Sequence, residues 1–295
     1  MADIHPFSGT VLDHTQMLLG EGPSFDPITN KLCWLNILGK ELHEYDPATG
    51  TKTVHALPFM ASVVARIDEK RQLLASEEGL FIRDRATGDL FLHADFEPSK
   101  PGNRSNDGRV HQSGALWIGT MGKKAEEKAG SIYHVAKGVV TTLFTDISIS
   151  NSICFSPDGA TGYYVDTKVN QVMSVPLDPA TGLPTGTAKV LIDRAGQKGG
   201  SDGSVCDADG NIWNACWGMG AVDCYSSDGK HLARYEVPAT QSTCPAFFGA
   251  SANRLAVTSA CEGLDAETVK ANPLYGTTVD LGIEVNGVFD GAYKV

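Results

Sequence analysis

Four residues of this 295-residue chain fall at one phase of a repeated pattern: Glu21, Asn106, Asn151 and Asp202. Each lies 10 to 12 residues ahead of the first large apolar residue after a turn, namely Leu32, Leu116, Tyr163 and Ile212. The same phase falls near Ser62 in a second unit and near Cys244 in a sixth. Two carboxylates with a carboxamide form an all-oxygen donor set, which suits a hard divalent cation such as Ca²⁺, Mg²⁺ or Mn²⁺. The eight histidines show no metal-like clustering and none holds this phase. Histidine-held zinc is therefore disfavoured, while zinc on oxygen ligands is compatible. Three of the four residues lie in glycine-containing contexts, Gly20-Glu21-Gly22, Asn106-Asp107-Gly108 and Gly200-Ser201-Asp202-Gly203. Glycine lets backbone approach a ligand closely or take a positive φ. Asp and Asn also cap turns between strands; the shared phase is what favours a site over turn chemistry.

The elements that must position them come from the repeat. Six segments share a turn rich in Asp, Gly, Asn or Lys followed by two or three large apolar residues. Their anchors are Leu32, Leu73, Leu116, Tyr163, Ile212 and Leu255, with gaps of 41, 43, 47, 49 and 43 residues. Between them lies a second turn class, exemplified by Asp46-Pro47-Ala48-Thr49-Gly50 and Asp178-Pro179-Ala180-Thr181-Gly182. Each of these turns follows a short alternating run such as Glu41-Leu42-His43-Glu44-Tyr45, the pattern of a half-buried strand. About four short strands per unit of this period predict an all-β fold, a six-bladed β-propeller of four-stranded antiparallel blades. A single domain over residues 1–295 follows, since nothing resembles an interdomain linker. A β-sandwich should lack the long period, and a helical solenoid should show 3.6-residue spacing. One short helix is expected at Leu264–Ala271, and Lys123–Lys128 reads as a charged surface loop. In a propeller, loops of equal phase converge at one end of the channel, which is where the four residues should meet.

Composition narrows the partners. With 24 basic and 35 acidic residues the net charge is −11, which argues against nucleic acid or an anionic membrane surface as a partner. No apolar window reaches membrane-span length, and the N-terminal run lacks the pattern of a signal peptide. The 32 glycines have no collagen period, and 42% hydrophobic residues exceed what a disordered chain carries. Seven cysteines without a C-x-x-C pair predict free, buried thiols, and a cytoplasmic location with them. Gly199-Gly200-Ser201-Asp202-Gly203 matches G-x-S-x-G, but no helix follows to make a nucleophile elbow. Asp207-Ala208-Asp209-Gly210 lacks the rest of a calcium loop. Trp34, Trp117 and Trp213 fall at repeat anchors and are expected in the core.

Several stretches together carry a resemblance: Leu19-Gly20-Glu21-Gly22-Pro23, Asn103-Arg104-Ser105-Asn106-Asp107-Gly108, and Leu116-Trp117-Ile118-Gly119-Thr120-Met121. Asn151 ahead of Cys154-Phe155-Ser156-Pro157-Asp158-Gly159, and Ser201-Asp202-Gly203-Ser204, continue the series. The chain resembles the gluconolactonase family that includes senescence marker protein (regucalcin) and bacterial sugar lactonases. The resemblance implies a six-bladed propeller holding one divalent metal at Glu21, Asn151 and Asp202. Arg104 and Asn106 would contact a sugar lactone, and the activity would be hydrolysis of an aldonolactone to its acid. Asp202 is then the expected general base toward water, or else the group that positions a hydroxide on the metal. A phosphotriesterase on the same propeller and a non-catalytic metal-binding scaffold are the competing readings. The family's usual closing strand, Gly-Gly-(Leu/Ile)-Phe, is replaced by Tyr275-Gly276-Thr277-Thr278-Val279, so the last blade has no clear expected register.

Overall fold

Short apolar runs broken by Asp, Gly and Pro turns are too brief for helices and alternate as strands do. A computed structural model describes residues 2–295, and there these runs form 25 strands and one helix. The chain opens with β1 (Asp3–His5) and β2 (Thr10–Asp13). Blade 1 follows as β3 (Gly20–Asp26), β4 (Lys31–Asn36), β5 (Glu41–Tyr45) and β6 (Lys52–Ala56). Blade 2 is β7 (Ala61–Arg66), β8 (Arg71–Ser76), β9 (Gly79–Asp84) and β10 (Leu90–Ala94). Blade 3 is β11 (Asn103–Val110), β12 (Leu116–Gly122), β13 (Gly130–Ala136) and β14 (Val139–Ile147). Blade 4 is β15 (Ser150–Phe155), β16 (Thr161–Asp166), β17 (Gln171–Pro176) and β18 (Lys189–Asp193). Blade 5 is β19 (Gly200–Cys206), β20 (Ile212–Trp217), β21 (Ala221–Tyr225) and β22 (His231–Glu236). Blade 6 contains β23 (Ser242–Phe248), β24 (Arg254–Ser259) and, after the helix α1 (Ala266–Ala271), β25 (Thr278–Asp280).

The fold is thus a six-bladed propeller, and the closing blade explains the unclear end of the sequence. Its fourth strand is β2, which pairs antiparallel with β25 in the order β2-β25-β24-β23. The N-terminal strand therefore completes the ring that the C-terminal half begins. Asp13, buried at the end of β2, ties this strand to blade 1 through Lys52 Nζ at 2.7 Å and His43 Nδ1 at 3.5 Å. Upstream, β1 lies parallel to β22 and adds a fifth strand to blade 5.

Blades are held by apolar layers between them. Val63, Leu73, Leu116, Ile118 and Val135 pack between blades 2 and 3. Burying each such side chain is worth about 1.5–3 kcal/mol. Trp34 and Trp117 are fully buried and Trp213 nearly so, and Trp117 Nε1 donates to the Gly182 carbonyl at 2.9 Å. All seven cysteines are free and buried. Helix α1 sits within the expected segment, capped by the Asp265 side chain on Thr268 N.

After β25, residues 281–295 form no strand and cross the end of the channel where the inner strands finish. Val285 N bonds Asn253 O in blade 6, and Ala208 N in blade 5 bonds Asn286 O. Phe289 stacks on Phe25 of blade 1 at 5.6 Å. Tyr293 N reaches Arg66 O in blade 2, and its hydroxyl contacts His93 Nε2 and Gly138 N. The segment closes that end of the channel.

Candidate active site

The innermost strands β3, β7, β11, β15, β19 and β23 each carry a break in register in their first half. Such a bulge bends a strand and re-aims a side chain. The residue at this step is Glu21, Ser62, Asn106, Asn151 and Asp202 in blades 1 to 5. In blade 6 it is Thr243, because pairing resumes at Pro245 and leaves Cys244 one step deeper. Thr243 adjoins Cys244, so the position falls where the phase expected it, and the bulge fixes which of the two residues takes it. Thr243 donates to Gly20 O at 2.6 Å, and Ser62 donates to Ser105 Oγ at 2.7 Å, so these two join blades.

The other four meet on one cavity of about 430 Å³, within the range of small-molecule sites. Glu21, Arg104, Asn106, Asn151 and Asp202 all line it. The sequence-predicted set is therefore brought together in full. Leu19, Met121, Ile149 and Trp217 supply apolar wall, and Thr167 and Glu262 add polar groups. Lys123 and Lys124, expected as plain surface loop, stand at its mouth.

A hydrogen-bond chain around the ring fixes these side chains. Arg104 Nη1 donates to Asn106 Oδ1 at 2.6 Å and to Ser105 O at 2.9 Å. Asn106 Nδ2 donates to Asn151 Oδ1 at 3.0 Å and to Ser150 O at 2.8 Å. Asn151 Nδ2 donates to Thr167 Oγ1, which donates to Ser201 O beside Asp202. Blades 3, 4 and 5 are linked in sequence, and a fully engaged buried network of this kind is rigid.

Asp107 is a residue the repeat phase did not point to. Its two carboxylate oxygens accept from Gly108 N at 2.8 Å and Ile153 N at 2.7 Å. One side chain thereby staples the bulge of β11 to that of β15, the two that carry Asn106 and Asn151. Ser152 lies between Asn151 and Ile153 with φ 56°, a strained left-handed conformation for a non-glycine residue. Its hydroxyl donates to Asp202 O at 2.5 Å. Gly22 has φ 55°, and a Cβ there would stand 2.2 Å from Ser62 O, so the turn beside Glu21 admits glycine alone. Asp107 directly follows Asn106, and that adjacency was its one sequence signal. Glu262 lies beyond the inner strands in a loop, with no signal in the repeat.

Electrostatics at this end are dominated by buried acids. Burial, and then the neighbouring Asp107 charge, push the Glu21 carboxyl up to about 8. Burial pushes Asp107 up to about 6. Burial, followed by the Glu21 and Asp107 charges, holds Asp202 well above the usual carboxylate range. Glu21 accepts a hydrogen bond from Gly22 N, and among the described residues Asp202 receives none from a side chain. Glu21, Asn151 and Asp202 are the oxygen donors that could hold a cation. Among the described residues no three His, Cys, Asp or Glu side chains cluster as a metal cage, so the carboxamide is required to complete the set.

The chain is similar to known proteins over most or all of its length. Residues 19–261 match the family model described as SMP-30/Gluconolactonase/LRE-like region. A Rhizobium meliloti (strain 1021) protein named "Putative sugar lactone lactonase" is 56% identical over 100% of both chains. The L-arabinolactonase of Azospirillum brasilense is 32% identical over 94% of this chain and 92% of its own. A crystal structure described as a calcium-binding protein, regucalcin, from Agrobacterium tumefaciens str. C58 superposes with TM-score 0.99 at 65% identity, covering 100% of both chains. With the blades, the bulged inner strands and these matches in agreement, the chain belongs to the SMP-30/gluconolactonase/LRE-like family.

Proposed function

We propose that the protein is a sugar lactone lactonase, opening a pentono- or hexonolactone to its sugar acid with one divalent cation. The observation that carries this reading is the convergence of Glu21, Asn151 and Asp202 with Arg104 and Asn106 on a single cavity. The names of relatives support the substrate class: a 6-deoxy-6-sulfogluconolactonase, a pentonolactonase and an L-arabinolactonase are each 31% or 32% identical to it. The calcium-binding description of the Agrobacterium neighbour supports a cation.

The donor chemistry fits that cation. Glu21 and Asp202 are both more than nine-tenths buried, face like charge, and are pushed toward the protonated form. A divalent ion reverses that pressure, since an opposite charge favours the ionised carboxylate. Calcium, magnesium, manganese and zinc all accept such oxygen donors. When bound there, the ion supplies Lewis-acid polarisation of the lactone carbonyl.

The chain's own groups supply the rest. Water oxygen adds to the carbonyl carbon, the ring C–O bond breaks, and the acid formed loses a proton. Asp202 accepts the proton of the attacking water and returns one to the leaving ring oxygen, which requires its ionised form. Arg104 binds substrate oxygen through the donors its Asn106 and Ser105 contacts leave free. Asn106, whose amide is engaged on both sides, orients Arg104 and Asn151.

The test is acid release in a pH-stat over pentono- and hexonolactones and phosphotriesters, after chelation and with single metals restored. Lactone hydrolysis above background with metal alone supports the proposal. A panel silent for lactones with every metal overturns it, and phosphotriester turnover would move the site to a different hydrolase.

A further inference from the structure

Arg104 is charged, more than nine-tenths buried, and has no carboxylate within ion-pair distance among the described residues. Its Nη1 is used on Ser105 O and Asn106 Oδ1. Its Nε and Nη2 have no protein acceptor among the described residues, and the side chain lines the cavity. The unused edge of the guanidinium is the planar two-donor fork that matches a carboxylate. A buried charge without a partner is costly, so this edge calls for an anion.

The mouth supplies a second positive group. Lys123 and Lys124 follow β12, and both line the cavity. Lys123 Nζ is taken up by Glu77 at 2.6 Å, and Glu77 also faces Lys40 at 3.9 Å. Lys124 Nζ has no carboxylate within 4.0 Å among the described residues, while its backbone N–H donates to Glu126 Oε2 at 3.1 Å. The opposing charges on the lining are Glu262, exposed and the leading Coulombic influence on Arg104, and the buried Glu21 and Asp202. With Glu21 and Asp202 engaged by the proposed cation, the charged groups left on the lining are Arg104, Lys123 and Lys124 against Glu262.

We infer that the preferred lactone carries an anionic group, a carboxylate at the end remote from the reacting carbonyl, held by the free edge of Arg104 and by Lys124. This rests on the lactonase reading and narrows its substrate to the monolactones of sugar diacids. Ring opening of such a substrate yields a dianion: water adds across the ester, the ring oxygen leaves as a hydroxyl, and one proton is released.

The experiment compares the 1,4-lactone of D-glucaric acid with D-glucono-1,4-lactone, which differ at the terminal carbon alone, using the cation-loaded enzyme. The expected kcat/KM favours the carboxylate lactone by about tenfold, through KM. Lys124→Glu should lower that ratio about tenfold, consistent with removing and reversing one exposed charge near a ligand charge. Glu262→Gln should raise it. Both residues are exposed, so neither substitution threatens folding. Hydrolysis of the neutral lactone with no preference for the acid, or a ratio that Lys124→Glu leaves in place, overturns the inference while the lactonase reading stands. Failure of both lactones overturns both.

Discussion

The two ends of the central channel are built from the same six strands and do opposite things. Where the inner strands begin, bulges turn Glu21, Asn106, Asn151 and Asp202 into an open cavity. Where they finish, residues 281–295 cross the opening and fill it. Arg109 marks the difference. It stands two residues below Asp107 on β11, donates to Ile153 O, and pairs with Asp290 Oδ2 at 2.7 Å. Its charge is fully met by protein, whereas Arg104, five residues earlier on the same strand, keeps donors for a ligand. One arginine is spent within the fold and the other lines the cavity with donors unused, and what separates them is whether a carboxylate of the chain reaches the guanidinium.

Four expected outcomes test that contrast, from the largest to the smallest. Asp202→Asn should cut lactone turnover by about 10³-fold, the range of a lost general base, with circular dichroism and melting unchanged in form. Retained turnover would remove Asp202 from its role. At the closed end, Asp290→Ala leaves Arg109 buried and unpaired, which costs on the order of 3 kcal/mol. The melting temperature should fall by roughly 6 °C or more, while kcat/KM per folded molecule stays within about threefold. An activity loss as large as that of Asp202→Asn would show the two ends to be one functional unit.

The third outcome concerns pH. The folded chain raises the Glu21 carboxyl from 4.5 to about 8, so it binds that proton more tightly than the unfolded chain. The associated stability is fully present below about pH 4.5 and is lost as pH rises through about 8. In chelated protein, the melting temperature of the native chain should therefore fall relative to Glu21→Gln between pH 5 and pH 8. A constant difference across that window contradicts the burial of an uncompensated acid there. The smallest effect belongs to the rim: Lys52→Met removes one half-exposed partner of Asp13, and urea unfolding should register less than about 1 kcal/mol. A larger loss would place the ring closure in that ion pair rather than in the β2–β25 pairing.

Most of the fold was legible because propellers write their period into turn residues. The anchors Leu32, Leu73, Leu116, Tyr163, Ile212 and Leu255 fixed the blades, and their spacing carried the site phase. The closing strand was not legible: β2 holds four residues, Thr10–Asp13, too few to show a period. It belongs to blade 6 through contacts distant in sequence. Bulges were equally silent: counting reached the neighbourhood of Cys244, and the bulge sets Thr243 rather than Cys244 at the step. Among the residues that line the cavity, Glu21, Asn106, Asn151 and Asp202 were picked out by the repeat phase and Arg104 by the resemblance alone. Asp107 lies one step past the phase, and Lys124 and Glu262 come from loops whose length the repeat does not constrain. Such residues acquire meaning only when the channel brings them to one cavity.

The proposed cation site is tested most directly by titrating chelated protein with a divalent cation and following lactone hydrolysis against equivalents added. Activity should be near background in the chelated protein, rise linearly and break at one equivalent per chain, with no rise in Glu21→Gln. Full activity in the chelated protein, or the same rise in Glu21→Gln, would contradict the proposed site.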